Sequence, residues 1–199
     1  MIYNNKKHSS RRQEILKAAL TCFTEHGYAN TTIDMIRKHS GASVGSMYHH
    51  FRNKEEIAGE LFILGMNDHN ERLIGVLQKT SSAEDGVKSV VLCLVNWIAE
   101  HPDWTRFILH TNSQIVKGES TKQLEEINKA FRKSISNWFH PHIQSGEITC
   151  LPPELYPPLI IGPSMSYARS WLSGKSKTSI TEYGEHLATA AWKAVKQTN

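Results

Sequence analysis

The chain has 199 residues, of which 39% are hydrophobic and 21% charged, with a formal net charge of +4. That length has room for one large domain or two small ones, and that balance excludes a disordered chain. The longest apolar run, VVLCLVNWIA, is broken by Asn96 and is about half of what a membrane span needs.

The N-terminus, MIYNNKKHSSRR, is polar and basic and lacks the apolar stretch of a secretory signal. Cys22, Cys93 and Cys150 are odd in number and far apart, with no CxxC pair. A reduced, cytoplasmic protein without disulfides, zinc knuckle or membrane attachment is therefore expected. Charge is distributed unevenly. Residues 1–54 carry nine Lys and Arg against three acids, whereas residues 55–199 carry fourteen against sixteen. A basic first quarter ahead of a slightly acidic remainder points to a polyanion-binding module in front of a body with another task.

Helical periodicity runs throughout the sequence, so the fold class is all-α. Ser10 and Gln13 fit a capping box for a first helix, whose apolar residues Ile15, Ala18, Ala19, Cys22 and Phe23 share one face and which Gly27 ends. A short second helix is capped by Thr31 or Thr32, points Ile33 and Ile36 inward and stops at Gly41. Ser43 caps a third, with Val44, Met47 and Phe51 as its inward set. Asn53 and Glu56 open a fourth helix that reaches about Lys79, about 40 Å long at 1.5 Å per residue.

Beyond the polar break KTSSAED a second group of helices begins. One spans about Ala83 to Glu100, a brief one runs through His110, and another covers about Ser120 to Gln144. A Pro-punctuated helix bends near Pro163, and the last, about Ile180 to Lys196, carries Ile180, Tyr183, Leu187, Ala190, Ala191 and Ala194 on one side.

Three short helices with the turn GAS between the second and third make a helix-turn-helix. In that motif the second helix enters the major groove and its exposed face meets the bases. The outward set on the third helix is Gly45, Ser46, Tyr48, His49, His50 and Arg52. Gly45 costs helix stability but lets backbone approach DNA. Ser46 and His49 suit base edges, and the longer Tyr48, His50 and Lys54 suit phosphates.

Residues 10–62 resemble the DNA-binding domain of the TetR/AcrR family of transcriptional regulators. The residues that carry the likeness are Ile15-Leu16, Ala18-Ala19, Phe23, Gly27-Tyr28, Thr31-Thr32, Ile36, Gly41, Ser43, Gly45, Tyr48, Phe51 and Lys54-Glu55. The resemblance implies that Ser46, Tyr48, His49, His50 and Lys54 contact DNA and that Thr31 or Thr32 meets phosphate. One departure is Arg37, where the family usually has Ala. The organisation implied is a helix-turn-helix domain over residues 1–54 and a helical effector-binding and dimerisation domain over residues 55–199. The implied function is a ligand-responsive repressor that binds a palindromic operator as a homodimer through its C-terminal helices and is released by a small molecule, without cofactor or enzymatic activity.

Candidate effector-pocket residues are Trp97, Trp104, Phe107, His110, Trp138, Met165, Tyr167 and Arg169, with Asn112 and Gln114 as further polar groups, although apolar stripes at helical spacing are most often core. The pair His140 and His142 around Pro141 reads as a helix end rather than a metal site, since residues two apart do not share a helix face. GPSMS lacks the last glycine and the preceding strand of a nucleophile elbow. A helical enzyme with an incidental basic N-terminus would need a convergent acid–base set, which the sequence does not offer. An architectural DNA-binding protein would not need so large a C-terminal body.

Overall fold

The computed structural model describes residues 10–111 and 119–198. Among these the architecture is all-α, with one isolated antiparallel bridge between Ile148 and Lys196. Contacts divide the chain into two compact units, one drawn from Met1–Asp68 and Asp103–Ile127, the other from His69–Pro102 and Asn128–Asn199. The units are thus cut by packing, and neither is one continuous stretch of sequence.

The first unit opens with α1 (Arg11–Asn30). Ser10 caps it, its hydroxyl accepting from the Gln13 amide while the Gln13 side chain accepts from the Ser10 amide. Gly27 sits at φ 76°, ψ 157°, a backbone region essentially reserved for glycine, and there it breaks the helix rather than ending it. α2 (Ile33–Ser40) closes on Gly41 in the left-handed conformation. α3 (Val44–His50) is capped by Ser43, whose hydroxyl accepts from the Ser46 amide. α4 (Lys54–Leu77) begins where the Asn53 side chain accepts from the Glu56 amide, and the Glu56 carboxylate in turn accepts from the Arg52 amide.

Ile15, Leu16, Ile36, Met47, Phe51, Ile57 and Leu61 form the fully buried centre of this unit. α6 (Pro102–His110) completes it. The Phe107 ring stacks on Phe23 at 5.5 Å, and the Trp104 indole N–H donates to the Leu61 carbonyl at 2.9 Å. A Cβ at Gly65 would overlap the Trp104 ring, so glycine makes room for it.

In the second unit α5 (Ala83–Glu100), capped by Ser82, packs along α10 (Gly184–Val195). α7 (Glu119–Gln144) ends in that unit with Trp138 and Phe139. The expected bent helix is instead two, α8 (Tyr156–Ile160) and α9 (Gly162–Leu172), because Pro163 lacks the amide donor that would carry one ladder through, whereas Pro157 and Pro158 sit in the first turn of α8, where no donor is needed. The last helix is also split, a 3-10 turn over Ile180–Tyr183 preceding α10.

Of the expected apolar stripe of the last helix, Ile180 and Ala191 are buried, and the other members are corrected. Gly184, Ala188, Ala191 and Val195 point inward, while Tyr183, Ala190 and Ala194 are exposed and Leu187 half-buried. The C-terminus is held by the Thr149 amide on the Val195 carbonyl at 2.8 Å and the Gln197 amide on the Glu147 carbonyl at 3.1 Å. No helix among the described residues is long and apolar enough to cross a membrane.

Candidate nucleic-acid interface

α3 is fixed on one side by Met47 and Phe51, both fully buried. Its remaining side chains make the interface candidate. Gly45, Tyr48 and His49 are exposed, Ser46 and His50 half-buried. The rings of His49 and His50 meet edge to face at 5.0 Å, closer than neighbours that diverge on a helix would suggest.

Three expectations are corrected here. Val44 is not an inward residue, being 58% exposed. It occupies the first turn, where Ala42 supplies the buried apolar contact just before the helix begins. Thr31 is 1% exposed, and its hydroxyl lies 3.0 Å from the Cys22 carbonyl and 2.8 Å from that of Gly27. It closes the gap left by the Gly27 break and cannot meet phosphate. Thr32 remains open, its side-chain oxygen accepting from the Met35 amide as the cap of α2.

Lys54 is the third. Its ammonium donates to the carbonyls of Tyr28 at 2.7 Å, Thr31 at 2.8 Å and Ala29 at 3.4 Å, and lies 4.4 Å from the centre of the Tyr28 ring. Three donors meeting three carbonyls leave none for a phosphate. Lys54 instead ties the α1–α2 turn to the start of α4, and so holds the platform on which α3 sits. The neighbouring Tyr28 hydroxyl donates to Glu55 at 3.1 Å, and burial together with that carboxylate pushes the phenol up to about 12.

Four other cations of the unit are also placed. Arg12 lies 4.8 Å over the Phe51 ring and pairs with Glu60. Arg37 and Lys38 both reach Asp34, at 2.8 and 2.9 Å, and hydrogen bonds from Lys38 and then Arg37 hold its carboxyl below the usual carboxylate range. The departure at Arg37 is thus an ion pair along its own helix. Arg52 is widely exposed and rests at 3.5 Å from Glu56.

The effector-pocket candidates do not form one cavity wall. Trp104 and Phe107 are core of the first unit, and His110 in the same unit is exposed, its Nδ1 2.7 Å from the Arg106 carbonyl. Trp97 is core of the second, with its ring against His69 and His101. Met165 is half-buried, Tyr167 donates its hydroxyl to the Thr178 carbonyl at 2.9 Å, and Arg169 is exposed. Asn112 and Gln114 lie outside the described residues.

Trp138 alone of these lines a groove. It is about 300 Å³, walled by Ile74, Leu77 and Gln78 of α4 and Ser134, Ile135, Asn137 and Trp138 of α7. A Cβ at Gly86 would overlap the Trp138 indole, so that glycine seats the ring. Asn70, one turn before Ile74 on the same face of α4, is 5% exposed, and both its amide atoms lack a hydrogen-bond partner. Sequence periodicity gave no signal for Gly86 or Asn70, whose roles depend on a partner helix. His142 at the helix end pairs its Nδ1 with Glu147 at 2.7 Å, and its ring lies tilted against Trp138 with centroids 4.6 Å apart. No group of three or more metal-binding side chains occurs among the described residues.

A capped helix with its apolar side buried and its polar side open, set behind a tight turn, is the arrangement of a helix-turn-helix. Residues 15–61 match the family model of bacterial regulatory proteins of the tetR family. The chain is 25% identical over 145 residues to an uncharacterised helix-turn-helix transcriptional regulator, YhgD, of Bacillus subtilis, covering 73% of this chain and 75% of that one. It is 34% identical over 116 residues to the transcriptional repressor AcnR of Corynebacterium diphtheriae, covering 58% of this chain and only 54% of that protein. In fold it resembles the regulator FadR from Bacillus subtilis, solved with stearoyl-CoA, at a TM-score of 0.75 and 22% identity over 91% of this chain and 97% of the other. By that match residues 15–61 are a DNA-binding domain of the tetR-family type, and the whole chain shares the fold of such regulators.

Proposed function

We propose that this protein is a cytoplasmic repressor that binds a palindromic operator as a homodimer, is released by a small-molecule effector, and acts by binding rather than by catalysis. The observation that carries the reading is the face of α3. Met47 and Phe51 anchor it, Gly45, Tyr48 and His49 are exposed, and Ser46 is half-buried between them. On this reading Ser46 and His49 address base edges, and Tyr48, His50 and Thr32 address the backbone. Repression is supported by the name of AcnR.

Dimerisation is supported by the outward row on α10. Half-buried Leu187 and exposed Ala190 and Ala194 on α10 continue from Tyr183 just before it at helical spacing. Small residues permit close approach of a second copy about a twofold axis, and a twofold protein matches a palindromic site.

The groove on α4 and α7 is the effector site in this account. Its mixed lining and the unsatisfied Asn70 amide suit a molecule with an apolar body and one hydrogen-bonding group. The helix that lines it also carries Lys54 at its start, so a ligand that favours one position of α4 biases the platform beneath α3. Selection from random duplex DNA tests the whole reading. An inverted repeat with half-sites about one helical turn apart or more is expected, and enrichment of no sequence overturns it.

A further inference from the structure

Four large apolar side chains stand out as exposed among the described residues, and two of them, Val44 at 58% and Tyr48 at 55%, lie on α3. Their spacing of four puts them on one face of that helix. Between them is Gly45. Its φ is not positive, and a Cβ built there meets nothing within 4 Å, so neither backbone conformation nor internal crowding asks for glycine. Alanine would be the better helix former at that position, and a polar or unbranched residue the better occupant of position 44. The folded chain therefore explains neither Val44 nor Gly45, and the reason for both lies in what α3 touches.

Tyr48 has a hydroxyl that can reach a phosphate oxygen, but Val44 has no polar atom and can recognise only an apolar group. The major-groove edges of the four base pairs offer one such group, the C5-methyl of thymine. A helix that must bring a short aliphatic side chain against a base also needs its backbone close to the groove, which a glycine next in sequence permits. We propose that Val44 is a specificity-determining residue that reads the C5-methyl of one thymine in each operator half-site, with Gly45 allowing the approach. The proposal rests on the reading of α3 as the DNA-recognition helix.

The experiment uses the full chain and the site it selects from random DNA. Each thymine of that site is replaced in turn by deoxyuridine, which keeps the hydrogen-bonding edge and lacks only the methyl. At one position per half-site the replacement should weaken wild-type binding about fourfold, the worth of one buried methyl, and about fifteenfold when both half-sites are changed. Val44→Ala should bind thymine and uracil there alike, while Val44→Ile keeps the preference. Because Val44 is exposed, both variants should melt with the wild type, which separates recognition from folding. A wild type indifferent to every replacement, or a Val44→Ala variant that discriminates as well as wild type, overturns the proposal. Failure to enrich any site overturns the DNA reading itself and is recognised by the absence of a site to modify.

Discussion

The Lys54 ammonium lies 2.8 Å from the carbonyl of Thr31, and this bond joins the first residue of α4 to the turn before α2. With the bonds to Tyr28 and Ala29 it makes Lys54 a tie within the protein. Lys54→Met should lower the unfolding free energy by about 1–3 kcal/mol, since part-buried carbonyls lose charge-assisted donors. Operator affinity should fall for all sequences alike, through disorder of the platform. The slope of log affinity against log salt should stay at the wild-type value; a drop of about 0.9 would show a lost phosphate contact instead.

Gly45→Ala separates stability from recognition. With no neighbour within 4 Å and no positive φ to strain, the substitution should stabilise the folded protein by about 1 kcal/mol in urea unfolding. Operator affinity should fall by about tenfold, or 1.4 kcal/mol, as the new methyl holds the helix off the groove. Changes of the same sign in both measurements would contradict this.

Gly86→Ala forces the Trp138 indole from its seat. Overpacking of this kind costs about 1–3 kcal/mol. The displaced ring also reshapes the groove, so a molecule that releases wild type from its operator should lose potency on the variant while operator binding without it persists. Unchanged potency would place the effector elsewhere.

Tyr28 gives a pH dependence. Its phenol is pushed up to about 12, above the ordinary value near 10 that the unfolded chain would show. A folded value above the unfolded one means that the contribution is fully present below about pH 10 and is lost as pH rises toward 12. Denaturant unfolding across that window should show wild type losing more stability than Tyr28→Phe; equal losses would remove the assignment.

What the sequence disclosed was local. Ser10 with Gln13, Ser43, Asn53 and Gly41 act at helix ends through contacts within a few residues, and spacing alone identifies such partners. What it hid was decided by tertiary neighbours. Thr31 and Thr32 are equivalent as caps on paper, and only the carbonyls of Cys22 and Gly27 take Thr31 out of contention. Val44 falls beside Met47 and Phe51 on a helical wheel, yet the core does not extend beneath the first turn of α3. For Lys54, a cation near a helix start is as consistent with a phosphate ligand as with a tie to three carbonyls, and spacing does not separate the two. The aromatic residues gathered as a pocket are divided between two cores because periodicity shows that a face is buried, not what buries it.

The central claim, that the open face of α3 binds operator DNA as part of a dimer, is tested most directly by fluorescence anisotropy of the selected operator as salt is raised from about 50 to about 200 mM. Log affinity should fall linearly with log salt, each neutralised phosphate contributing a slope near −0.9, at a stoichiometry of two protomers per duplex, and binding should be lost when Ser46, Tyr48 and His49 are all replaced by Ala. Affinity indifferent to salt, or undiminished in that triple variant, would contradict it.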